Sequence, residues 1–88
     1  MISLQEEKNG VEPKPETIGV LVSFSGRKIQ PVAFRWGQKR YRVDRLNLTY
    51  RRRNGKHLFY HFTVTAGADV FDLCFDPETL DWALWRGP

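Results

Sequence analysis

Eighty-eight residues with a formal net charge of +4 and one cysteine describe a single small domain. Cys74, standing alone, excludes an internal disulfide and any cysteine-based zinc site, and no apolar run approaches the roughly 20 residues that a membrane-spanning helix needs. The charge is unevenly placed. Residues 25–57 hold eleven Lys and Arg against Asp44, a balance of +10, whereas residues 67–88 hold five acids against Arg86, a balance of −4. A basic middle beside an acidic end makes a dipolar surface, which selects polyanions or a complementary protein.

Residues 1–17 contain few apolar side chains, charges of both signs, and Pro13 and Pro15. They bury too little to offset their ordering entropy and read as a flexible tail. The segment lacks the basic start and apolar run of a secretory leader, so the lone thiol points to a reducing cytoplasm. Residues 18–88 read as one β domain. Its core is marginal for its size, and three Trp, three Tyr and six Phe compensate, each ring burying about 150–250 Å².

Turn signals fall at Ser25-Gly26, Gly37-Gln38, Asn54-Gly55, Ala66-Gly67 and Asp76-Pro77. With β-branched and aromatic residues between them, they predict an all-β antiparallel meander of five or six strands, as a twisted sheet or small open barrel. The strands are expected at 18–25, 29–36, 40–52, 57–66, 69–75 and 81–86. Alternation points Val32, Phe34 and Trp36 inward and Ala33 and Arg35 outward. Tyr41 and Val43 are apolar at odd positions but Leu46, Leu48 and Tyr50 at even ones, so the phase must change near Asp44-Arg45. A single helical turn fits 77–80, capped by Asp76 and started by Pro77.

The hairpin around Asn54-Gly55 is predicted from its apolar match. A three-residue loop, Arg53-Asn54-Gly55, opposes Leu46 to Phe62, Leu48 to Tyr60 and Tyr50 to Leu58 on one apolar face, with Gly55 left-handed. The other face then carries Arg45 opposite Thr63, Asn47 opposite His61, Thr49 opposite Phe59 and Arg51 opposite His57. Trp36 and Trp82 read as core, and Trp85 as partly exposed.

Pro31-x-x-Phe34-x-Trp36-Gly37-x-x-Arg40-Tyr41-x-Val43, followed by a long basic strand and a Trp-rich closing strand, resembles a group of short, uncharacterised bacterial all-β domains. The resemblance covers about two-thirds of the chain, and its motif is made of core and turn residues. Some of those domains lie near genes for error-prone DNA polymerases, which implies nucleic-acid metabolism and no particular activity.

The chemistry of the basic strand agrees. Nucleic acid needs cations for phosphates and exposed rings for bases. The candidate residues are Arg45, Arg51, Arg52, Arg53, Lys56, His57, Phe59 and His61, with Arg35, Arg40 and Arg42 on neighbouring strands. The plainer reading is a solvated face whose arginines guard a strand edge against pairing. His57 and His61, four apart on a strand, stand roughly 13 Å from each other, too far to share a metal ion. Cys74 between Leu73 and Phe75 reads as a semi-buried, inert thiol, while Asp72 and Asp81 face solvent or pair with arginines. No catalytic set can be filled and no cofactor is implied. Two classes of function stand: a small basic non-enzymatic module for single-stranded or backbone-directed nucleic acid, and a protein-interaction or accessory module. The second would be a homodimer through the ring-rich face, or a module docking on an acidic partner.

Overall fold

The computed structural model describes residues 16–85, which form seven antiparallel strands and no helix. The strands are β1 (Glu16–Ser25), β2 (Lys28–Trp36), β3 (Lys39–Arg42), β4 (Arg45–Asn54), β5 (His57–Ala66), β6 (Asp69–Asp76) and β7 (Asp81–Trp85). They make one sheet in the order β3-β2-β1-β7-β6-β5-β4. The all-β antiparallel expectation holds, with seven strands in place of five or six because 40–52 divides at Val43-Asp44. β1 starts at Glu16, so two residues assigned to the tail are paired with β7. The remainder of the expected tail, residues 1–15, and Arg86 lie outside the described residues.

The sheet curls because its two edges are consecutive in the chain. β3 and β4 stand at opposite ends of the strand order, yet only Val43 and Asp44 separate them. Val43 N–H donates to Val32 O of β2 at 2.9 Å, and Asp44 N–H donates to Thr65 O of β5 at 2.8 Å. At about 3.3 Å per residue this link is short, and the two edges are drawn together into a half-barrel. The Asp44 carboxylate accepts the Gly67 N–H at 2.8 Å and ties the link to the β5–β6 turn.

The concave side is the core. Ile18, Phe34, Phe62, Val64, Phe71, Leu73, Trp82 and Leu84 are buried there. Phe34 stacks on Tyr41 at 4.8 Å, and both meet the edge of Phe71 from β6 at 5.2 and 5.1 Å, so one aromatic cluster spans the curl. Trp36 joins it at the rim and donates its indole N–H to Glu16 at 2.6 Å. Trp82 forms a second cluster with Phe62 and Phe75. In β2 the inward set differs from expectation. A register shift beside Leu21/Val22 turns Pro31 inward and leaves Val32 41% exposed, while Phe34 and Trp36 keep their predicted side.

The β4–β5 register is also corrected. The loop has two residues, Gly55-Lys56, with Gly55 at φ 67°, and this pairs Tyr50 with His61, Arg52 with Phe59 and Asn54 with His57. Leu48 lies opposite Thr63, not Tyr60, and is 57% exposed. The phase change that began at the link is completed by a shift at Asn47, whose side-chain amide donates to Thr65 Oγ1 at 2.9 Å. Only Leu46, opposite Val64, keeps to the core side. Stacking Tyr50 on His61 outweighs the simple apolar match.

Asp44→Ala removes the carboxylate that pins the link to Gly67. It is expected to cost about 1–2 kcal/mol, or several degrees in Tm, whereas Asp69→Ala at an exposed strand end should stay within about 0.5 kcal/mol. Equal Tm values for the two variants in thermal denaturation would show that the link needs no pin.

Candidate nucleic-acid interface

β5 alternates strictly, with Tyr60, Phe62, Val64 and Ala66 toward the core side and His57, Phe59 and His61 toward the convex side. The convex side is therefore where the predicted histidines and Phe59 lie, and their cross-strand neighbours are Asn54, Arg52 and Tyr50. Arg45, opposite Thr65, is on the same side. Arg51 and Arg53 fall opposite Tyr60 and Leu58, on the other side of the strand, so Asn54 holds the place opposite His57 expected for Arg51, and Arg52 holds the place opposite Phe59 expected for Thr49. Lys56 sits in the hairpin loop.

Each histidine has its own carboxylate. His57 Nε2 lies 2.9 Å from Asp76 Oδ1, and its ring stacks on Phe59 at 4.5 Å with the planes 6° apart. Asp76 also accepts the Glu78 N–H at 2.9 Å, which caps the 77–80 turn as expected. The hydrogen bond from Asp76 raises the His57 pKa, and the same bond holds the Asp76 carboxyl below its ordinary value.

His61 is only 4% exposed and forms part of the floor. Its Nδ1 donates to Asp72 Oδ1 at 3.1 Å, Tyr50 donates its hydroxyl to Asp72 Oδ2 at 3.0 Å, and the Tyr50 ring stacks on the imidazole at 4.8 Å. Burial and this hydrogen bond push the Tyr50 hydroxyl upward. Asp72 therefore serves His61 and Tyr50 and no arginine, contrary to expectation.

Cys74 sits opposite His61, with Sγ 3.8 Å from Nε2. Cysteine, histidine and aspartate in a row suggest a nucleophile. However, burial, aided by Asp72, pushes the thiol up to about 11, and a thiol protonated at neutral pH is a poor nucleophile. The chain from Cys74 through His61 and Asp72 to Tyr50 instead satisfies four polar groups beneath the convex surface.

Above this floor lies a groove of about 490 Å³, walled by Phe59, Trp85 and Arg52 and closed at one end by Arg53 and Asn54. Both ion pairs among the described residues join a histidine to an aspartate, and no arginine or lysine takes part in one. Comparison with protein-family models, curated proteins and solved structures finds no match to this chain.

Tyr50, Asp72, Cys74 and Trp85 are the site members that the sequence reasoning missed. A signal for them exists: counting back from a two-residue loop at Gly67-Ala68 places His61 opposite Cys74, and alternation then brings Asp72 to the same side.

The His57–Asp76 pair sets a pH dependence. A raised histidine pKa gives stability that is complete below its unfolded value of about 6.5 and is lost as pH rises through the higher folded value. The lowered Asp76 pKa gives stability that is lost only as pH falls through it in acid. Denaturant midpoints are expected to fall between about pH 6 and pH 9, and His57→Gln should flatten that fall; an unchanged slope in the variant would remove the pair from the account. In the folded protein Cys74 should also react with an alkylating reagent at about pH 8 at least tenfold more slowly than in denaturant. Equal rates would mean an open thiolate.

Proposed function

We propose that this chain is a small, basic, non-enzymatic binding module that takes single-stranded nucleic acid on the convex side of its sheet, in a cytoplasmic setting. The observation that carries the reading is the segregation of charge around an aromatic groove. Asp72 and Asp76 of β6 are engaged by His57, His61 and Tyr50, and the arginines of β4, beside Phe59 and Trp85, have no acidic partner among the described residues. Phosphates would meet Arg45 and Arg52 along β4, with Arg53 and Lys56 at the hairpin tip. A base would stack on Phe59 or Trp85, a contact worth about 1–3 kcal/mol. His57 adds positive charge to the groove edge as pH falls, and His61 shapes the floor from below. Arg51 contributes to the field of the hairpin from the opposite side.

A second reading draws on Leu21, Leu48 and Val70, which are 65, 57 and 60% exposed. Apolar side chains standing out among charges suit a protein interface, with a second copy or an acidic partner.

Titration of labelled single- and double-stranded oligonucleotides at two salt concentrations separates the two. Wild type should bind single strands with steep salt dependence. Arg45→Glu with Arg52→Glu should weaken binding at least tenfold at unchanged stability and lower the salt slope by about one unit for each phosphate no longer neutralised. Phe59→Ala should cost about 1–3 kcal/mol of binding if a base stacks there. No salt-dependent affinity at low ionic strength sinks the nucleic-acid reading, and nuclease-resistant elution above the monomer size would favour the second.

A further inference from the structure

A second hollow opens on the convex side, over β1, β2 and β3 and away from the Phe59–Trp85 groove. Its volume is about 400 Å³, with Gly19, Leu21 and Ala33 as floor and Arg35 and Arg40 as wall. We infer that it is a subsite for one nucleoside 5′-phosphate unit, with the phosphate between the two guanidiniums and the base flat on the Gly19–Ala33 floor.

Two local penalties coincide here. Arg35 and Arg40 are direct cross-strand partners, and like charges so placed destabilise a sheet. Neither has an acidic partner among the described residues, and Arg42, opposite Ala33, adds a third cation one row away. Gly19 is the partner of Arg35 on the other side. Glycine inside a strand weakens it and marks close approach by a ligand or another backbone. Its backbone is not left-handed, and a Cβ built there would meet nothing within 4 Å, so neither local geometry nor packing calls for glycine. A phosphate between the guanidiniums relieves their repulsion, since paired arginines bind such oxyanions with charge-assisted hydrogen bonds. A flat base uses the surface that a side chain at Gly19 would occupy. The volume lies within the range of small-ligand sites, about 300–1,000 Å³.

The subsite rests on the proposed nucleic-acid reading only for the source of the nucleotide, which is either a unit of a bound strand or a free nucleotide. Two probes distinguish these, adenosine 5′-monophosphate and a short thymidine oligonucleotide, each followed by backbone amide shifts. The monophosphate is expected to move residues 19, 33, 35 and 40, and to lose at least about tenfold in affinity in both Gly19→Val and Arg35→Gln with Arg40→Gln. Both variants should melt no lower than wild type, because one adds a strand-forming side chain and the other removes a like-charge pair. Shifts elsewhere, or unchanged affinity in the two variants, would overturn the subsite. With the oligonucleotide, lost affinity in Gly19→Val beside persisting shifts at Phe59 and Trp85 assigns the unit to a strand. If the monophosphate behaves as expected while the oligonucleotide binds equally well in that variant, or not at all, the hollow serves a free nucleotide. The wider reading is then judged by the groove alone.

Discussion

Two residues decide the shape of this molecule. Val43 and Asp44 join strands that stand at opposite edges of the sheet, and each donates its backbone N–H to a different neighbouring strand. A flat seven-stranded sheet would hold those edges far apart, at nearly 5 Å per strand, which no two-residue connection can bridge. The curl is thus imposed by connectivity, and the right-handed twist of strands supplies its direction without extra strain. Much else follows: a concave interior narrow enough for Phe34 and Tyr41 to reach Phe71 across it, and a convex exterior on which the two edges become neighbours. Arg42 and Arg45 end and begin the strands on either side of the link, so basic segments remote in the sheet order become adjacent in space.

The electrostatics of the convex side depend on that closure and on a division of labour among the acids. Asp72 and Asp76 lie in the same sheet as the arginines and could in principle have neutralised them. Imidazoles and a phenol hold them instead, at 2.9–3.1 Å. Arginine pairs at exposed sites contribute little stability in any case, so leaving the cations unpaired costs the fold little and preserves a directed field. The histidine network also makes a polar layer that is internally satisfied, which lets the groove above it remain partly apolar without stranding a buried donor.

How much of this was legible depended on which local signal was read. Turn residues were reliable, and alternation was so except where the register shifts, at Val32 in β2 and beyond Leu46 in β4. Gly37, Gly55 and Gly67 all take positive φ at or beside predicted turns, and the core sides of β5, β6 and β7 follow period two. The phase change before Leu46 was visible as well, although not that it breaks one strand into two. The hairpin register failed because apolar matching assumed that Leu48 and Tyr50 belong to the core. In the fold, Asn47 absorbs the shift, Leu48 falls on the exposed side, and Tyr50 is held by its hydroxyl and a stacked imidazole. Those are pairwise, long-range interactions, and nothing in the periodicity of β4 alone encodes them. The site was legible in part: Phe59 and His57 were placed, His61 was found on the right strand side but beneath the surface, and Asp72 was hidden because an acid in a strand usually means solvent.

The meeting of β1 with β7 carries a consequence of a different kind. Among the described residues, only three pairs, Glu16 with Leu84, Thr17 with Ala83 and Ile18 with Trp82, join the first strand in the chain to the last. Every other strand pairing there links strands that are consecutive in the chain. Among the described residues the sheet is therefore two local meanders, β1–β3 and β4–β7, joined by the pairing of β1 with β7. Local hairpins close small loops and form early, whereas the pairing of β1 with β7 must wait until most of the chain is ordered. It is the last pairing that folding has cause to complete and the first that thermal motion has cause to undo, so amide protons there should exchange ahead of those in the meanders on either side.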